Sequence, residues 1–128
     1  MREILFRGKR TDNHKWIEGT GVFNDGVNTW IFANEPNRAI AYGMQHYVVK
    51  PETVGQYTGL TDKNGKKIFE GDIINIEYPI TTVKCAVVEY VGSAFVGSTD
   101  CDAWDLDNYY ALEVIGNIHD NPELLKGE

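Results

Sequence analysis

The chain has 128 residues, of which 42% are hydrophobic and 24% charged. That length suits one compact domain, and this composition excludes a disordered chain. Its net charge is −7, and an acidic surface repels phosphate backbones, which disfavours nucleic acid as a partner.

The charge is unevenly spread. Residues 1–50 carry seven bases and five acids, whereas residues 51–128 carry five bases and fourteen acids. Met1-Arg2-Glu3 leads directly into a strand-like run, so no secretory signal is read at the start. The apolar runs fall far short of the ~20 residues that a membrane-spanning helix needs. Cys85 and Cys101 show neither the pairing of a disulfide scaffold nor zinc-site spacing. These features lead to the expectation of a protein of the reducing cytoplasm, away from membranes.

In chain order, the first bases are Arg2, Arg7, Lys9, Arg10 and Lys15. They could gather into a phosphate-binding patch, but a solvated strand face is the better reading. Asp25-Gly26 joins two apolar runs, 20–23 and 27–32, as a hairpin signal. Residues 34–47 read as a loop followed by a strand or a short helix. Asn64-Gly65 is the second hairpin signal, with a two-residue I′ turn expected and polar flanks suited to an exposed tip. Residues 73–78 and 83–91 are strand-like, rich in Ile and Val. In the longer run, strict alternation puts Val83, Cys85, Val87, Glu89 and Val91 on one face and Lys84, Ala86, Val88 and Tyr90 on the other. Residues 110–115 read as a late strand. Asn121-Pro122-Glu123 is a helix start, with Leu124 and Leu125 expected to lie on the sheet. The fold class is mainly β, with one or two short helices.

Three stretches resemble one family. They are residues 1–10 with Trp16-Ile17-Glu18-Gly19, residues 51–73 with the core Thr58-Gly59-Leu60-Thr61-Asp62-Lys63-Asn64-Gly65, and residues 114–125 with Gly116-Asn117-Ile118-His119-Asp120-Asn121-Pro122. Their order and spacing resemble the YopX family of phage and prophage proteins over almost the whole chain. The resemblance implies a small β-rich accessory protein and brings no catalytic residues with it. Gly71-Asp72-Ile73 also looks like the strand entry of an SH3-like barrel, which predicts such a barrel over residues 68–118 within a single domain of residues 1–128. Barrels of that kind serve many functions, so this bears on fold alone.

Asp100, Asp102, Asp105 and Asp107 form the densest acidic cluster, with Trp104 among them as an aromatic anchor for the loop. Hard cations need several converging oxygens, and an EF-hand loop needs Gly at its sixth position and Glu at its twelfth. Here those positions hold Asp105 and Ala111, so the cluster reads as a solvated acidic loop rather than a metal site. His14, His46 and His119 are scattered. His119-Asp120 could serve as a base, but Asp120 and Asn121 better fit a turn before the last helix. Cys85 reads as a small core residue, and Cys101 between two aspartates is a poor nucleophile. No phosphate loop and no cofactor motif are seen.

These readings lead to a non-enzymatic, phage-encoded binding module with an unidentified protein partner, basic in character, engaged through Asp100, Asp102, Trp104, Asp105 and Asp107. Oligomerisation stays open. Two alternatives are an acidic mimic that occupies a basic host protein and a metal-dependent hydrolase built on the aspartates.

Overall fold

The structure is a computed structural model that describes residues 3–33, 45–107 and 109–125. The expectation for residues 34–44 lies outside these, as do Arg2 and Glu128. The chain groups into two compact units, Met1–Tyr57 and Thr58–Glu128.

In the first unit, β1 (Phe6–Lys9) lies between β2 (Trp16–Asn24) and the start of β5 (Gly55–Thr61). Strand β2 pairs with β3 (Thr29–Ala33), which pairs with β4 (His46–Val49), all antiparallel. Of the 34–47 stretch, the described residues His46 and Tyr47 are strand. Leu5, Ile31, Val49 and Tyr57 are buried. A short 3-10 turn (Pro51–Thr53) leads into β5, and its Thr53 hydroxyl accepts the Lys9 amide at 2.9 Å. The Asp25-Gly26 signal does make the β2–β3 hairpin, but the tip is Gly26-Val27, one residue later than the signal itself: the Asp25 amide donates to the Asn28 carbonyl. The Asp25 carboxylate then accepts the Asn28 and Val27 amides and the Trp30 indole N–H. Bonds from Asn28, Trp30 and Val27 hold its carboxyl below the ordinary range.

Strand β5 crosses the unit boundary, and its second half pairs with β6 (Lys67–Phe69). The second unit also holds an antiparallel sheet of order β10-β9-β8-β7-β11, with β7 Asp72–Glu77, β8 Thr82–Val91, β9 Ala94–Ser98, β10 Ala103–Asp105 and β11 Ala111–Asn117. The chain is mainly β, in two antiparallel sheets. The SH3-like barrel expected over residues 68–118 is not seen as a closed barrel: β10 and β11 are the two ends of an open sheet. Gly71, with φ of 88°, and Asp72 do lead the chain into strand β7. The Asp72 carboxylate accepts the Phe69 amide at 2.8 Å and is almost fully buried.

Ile68, Ile74, Ile76, Val83, Ala86, Val88 and Leu112 form the core of this unit. Each fully buried Ile contributes about 2 kcal/mol by leaving water. Strict alternation along β8 fails at Cys85, which has φ of 57°. The pairing with β7 shifts register there, and Asn75 Oδ1 accepts the Cys85 amide at 3.1 Å. This bulge flips the phase of the strand, so Val83, Ala86 and Val88 share the core face. Cys85, read as core, is instead half-exposed.

The Asn64-Gly65 signal also marks a hairpin, but not a two-residue I′ turn. The Gly65 amide donates to the Asp62 carbonyl and the Asp62 amide to the Lys66 carbonyl, enclosing three residues. Gly65 has φ of 84°, whereas Asn64 is not among the residues with positive φ. This is the three-residue loop in which one left-handed residue closes the turn. Beneath it the buried Asp62 carboxylate accepts three amides at 2.9 Å each, from Asn64, Lys66 and Val114 of β11. Burial alone would raise its pKa, but the Val114, Lys66 and Asn64 amides and the Lys66 charge outweigh it and hold the pKa below the ordinary value.

The last turn follows the sequence reading. Asn117 Oδ1 accepts the His119 and Asp120 amides, and Asn121 Oδ1 accepts the Asn117 amide. The helix is one 3-10 turn (Pro122–Leu125) whose leucines are not buried.

Two predictions come from the hairpin. A Cβ at Gly65 would meet open space, so Gly65→Val costs backbone strain alone, about 1–2 kcal/mol in a urea titration. Asp62→Ala should cost more, about 2–4 kcal/mol, because it orphans three amides. The folded protein holds the Asp62 proton less tightly than the unfolded chain. Its stabilisation is therefore complete above the unfolded carboxylate's pKa and is lost as pH falls through the lower folded value. Urea midpoints of Asp62→Asn should decline less steeply with acid than those of the wild type.

Candidate functional site

The five residues singled out in the sequence lie in the second unit, on or beside β10. Asp100 and Asp102 sit in the turn before it, where the Thr99 hydroxyl accepts the Asp102 amide at 3.2 Å. Trp104 and Asp105 lie on β10, and Asp107 follows it. All four aspartates are exposed. Among the described residues, no ion pair or hydrogen bond engages their carboxylates. Nor do any three His, Cys, Asp or Glu side chains among the described residues group so as to hold a metal.

Trp104 does anchor this segment. It is half-buried and packs against the core cluster, as do Leu106 and Tyr109. Strand pairing sets its place: Val88 lies opposite Gly97 on β9, and Gly97 lies opposite Trp104. A Cβ on Gly97 would come within 2.9 Å of Ile76 and 3.2 Å of Ala86. The absent side chain therefore lets the core fill that row.

The residue that sequence reasoning missed is Tyr78. It begins the β7–β8 turn, where its amide donates to the Thr81 carbonyl at 2.8 Å. Its hydroxyl donates to the Asp105 backbone carbonyl at 2.6 Å, and its ring lies 5.6 Å from that of Trp104, tilted by 33°. This one bond ties the β7–β8 turn to β10. The two aromatics, Pro79, Ile80, Thr81, Asp105 and Asp107 line an open groove of about 470 Å³. Ile80 at the tip is 95% exposed. An apolar residue beside Pro at a turn tip is the signal that could have flagged it. Burial pushes the Tyr78 phenol above its ordinary pKa, and the Asp105 and Asp107 charges push it further.

A second, larger cavity of about 800 Å³ is lined by residues that include Cys85, Glu89, Asp100, Leu124 and Leu125. Asp100 thus faces a different hollow from Asp105 and Asp107. The four aspartates do not converge on one point.

The early bases occupy the first unit. The Arg7 guanidinium lies 4.7 Å from the Trp16 ring centre and the Lys9 ammonium 5.9 Å. Arg10 stacks on Tyr47 at 4.0 Å and pairs with Asp12 at 2.6 Å. Arg7, Lys9 and Arg10 are thus each set against an aromatic ring of their own unit, and Arg10 also against an acid. Trp30 and Phe32 both contact the His46 ring.

A family model described as YopX protein matches residues 5–126. The chain belongs to the YopX family. This YopX protein is also similar to a solved structure, the crystal structure of protein EF1440 from Enterococcus faecalis. The two share 25% identity with a TM-score of 0.57, over 98% of this chain and 99% of that one. No curated protein matches. Among the described residues of this YopX protein, no helix is long and apolar enough to cross a membrane.

The Tyr78 environment gives a test. The phenol should titrate above free tyrosine in a spectrophotometric pH titration. Asp105→Asn with Asp107→Asn should lower that midpoint while leaving it above the free value, since burial persists.

Proposed function

We propose that this YopX protein is a non-enzymatic binding module, an accessory protein of phage or prophage origin that acts in the bacterial cytoplasm. Its partner is a basic protein, and the contact runs through Asp100, Asp102, Trp104, Asp105 and Asp107. The observation that carries this reading is an exposed run of four carboxylates, uncompensated among the described residues, on a segment pinned by a half-buried Trp. Complementary charge of this kind chiefly raises association rates and selects partners. The supporting platform is the open sheet, and an SH3-like relationship of residues 68–118 would lie in strand order rather than barrel closure. The metal-dependent hydrolase gains no support, because the aspartates diverge.

The test is stopped-flow association with a partner captured from bacterial extract, at two salt concentrations. Neutralising all four aspartates to Asn should slow association about tenfold and flatten its salt dependence, with the fold retained. Identical rates and salt slopes for wild type and variant would overturn the reading. So would calorimetric binding of Ca²⁺ or Mg²⁺ that the variant abolishes.

A further inference from the structure

The groove between the β7–β8 turn and β10 is more specific than a negative surface. Its floor is a pair of half-buried rings, Tyr78 and Trp104, 5.6 Å apart. One wall is apolar, formed by Pro79 and the almost fully exposed Ile80. The rim carries the exposed carboxylates of Asp105 and Asp107. The floor is fixed from both sides, since the Tyr78 hydroxyl bonds the Asp105 carbonyl and Trp104 is packed on the core. A ligand there would pay little to order the rings.

Each lining group asks for a different part of one side chain. Aromatic faces attract a cation, and a planar guanidinium stacks on them best. Carboxylates accept its N–H groups in pairs. An exposed isoleucine beside a proline covers an aliphatic stem of the kind that long basic side chains lay along apolar surface. A carboxylate ligand would be repelled by the rim, and a purely apolar one would leave the rim unused.

We propose that this groove is the seat of a single arginine side chain presented by a protein partner. The proposal rests on the binding-module reading and names the group that reading would capture. Arginine stem carbons lie against Ile80 and Pro79, its guanidinium stacks on the Tyr78 and Trp104 rings, and its N–H groups donate to Asp105 and Asp107. Asp100, which lines the other cavity, steers the partner from outside this seat.

The test uses blocked glycyl-X-glycine peptides, with X arginine, lysine or citrulline, titrated into the full chain and followed by ¹H–¹⁵N chemical shifts. The arginine peptide should saturably shift the Trp104 indole N–H and the Ile80 amide. Citrulline has nearly the same shape without the charge, and its affinity should fall at least about tenfold. Lysine should bind more weakly than arginine. Asp105→Asn with Asp107→Asn should reduce arginine affinity by a similar factor. Trp104 variants risk unfolding, so Ile80→Ser, at a side chain in open solvent, is the second variant and should weaken binding without moving the urea midpoint. Equal affinity for arginine and citrulline, or shifts confined to residues outside the groove, would overturn the proposal. If the arginine peptide perturbs only the Asp100 and Asp102 amides, the groove inference falls and the broader acidic reading survives. If the peptide results hold while the captured partner's kinetics ignore the groove variants, the seat stands and the broader reading fails.

Discussion

The second unit is built around a carboxylate that has lost its water. Asp62 is buried, and a buried carboxylate with unmet lone pairs would be costly. It is held by three backbone amides, two from the turn that follows it and one from Val114, 52 positions along the chain. The long bond matters most. It ties the β5–β6 hairpin to β11, reinforced by the Lys63 amide donating to the Leu112 carbonyl at 2.8 Å. Leu112 and Val114 are thereby held opposite Ile76 and Ile74 of β7, which pair in turn with Val83 and Ala86. From there the sheet extends through β8 and β9 to the strand that carries Trp104. The groove thus stands at the far end of a chain of pairings that begins at Asp62.

Much of this was legible from local chemistry. Both Asx-Gly pairs lie at hairpins, because the need for a left-handed residue at a tight turn is a property of a few consecutive residues. The exact tips were not legible. Whether two or three residues close a loop depends on the register of the flanking strands, which cross-strand packing sets. The Cys85 bulge was invisible for a related reason. Its cause is Asn75 on the neighbouring strand, and no pattern within β8 shows that partner. Asp62 itself read as a polar flank of an exposed tip, since Val114, which makes it structural, lies in another motif.

The candidate site divides the same way. Asp105, Asp107 and Trp104 were found because they cluster in sequence. Tyr78 was not, since it meets Asp105 across 27 positions. The four aspartates, adjacent in sequence, part company in space: Asp100 turns toward one hollow and Asp105 and Asp107 toward another. Asp100 precedes β10 in a turn whereas Asp105 and Asp107 lie at its far end, so acids that are neighbours in sequence face different hollows.

The 52-residue span closed by Asp62 also bears on how the protein comes off the ribosome. In the first unit the Leu5 carbonyl meets the Tyr57 amide, so that unit can close once fewer than half the residues have emerged. The Asp62 carboxylate must wait for Val114. During that interval the isoleucines of β7 lack their β11 neighbour, and the strand edge that β11 later occupies is open to strangers. Nascent-chain aggregation, if it occurs, should begin in that window and cease when the last strand docks.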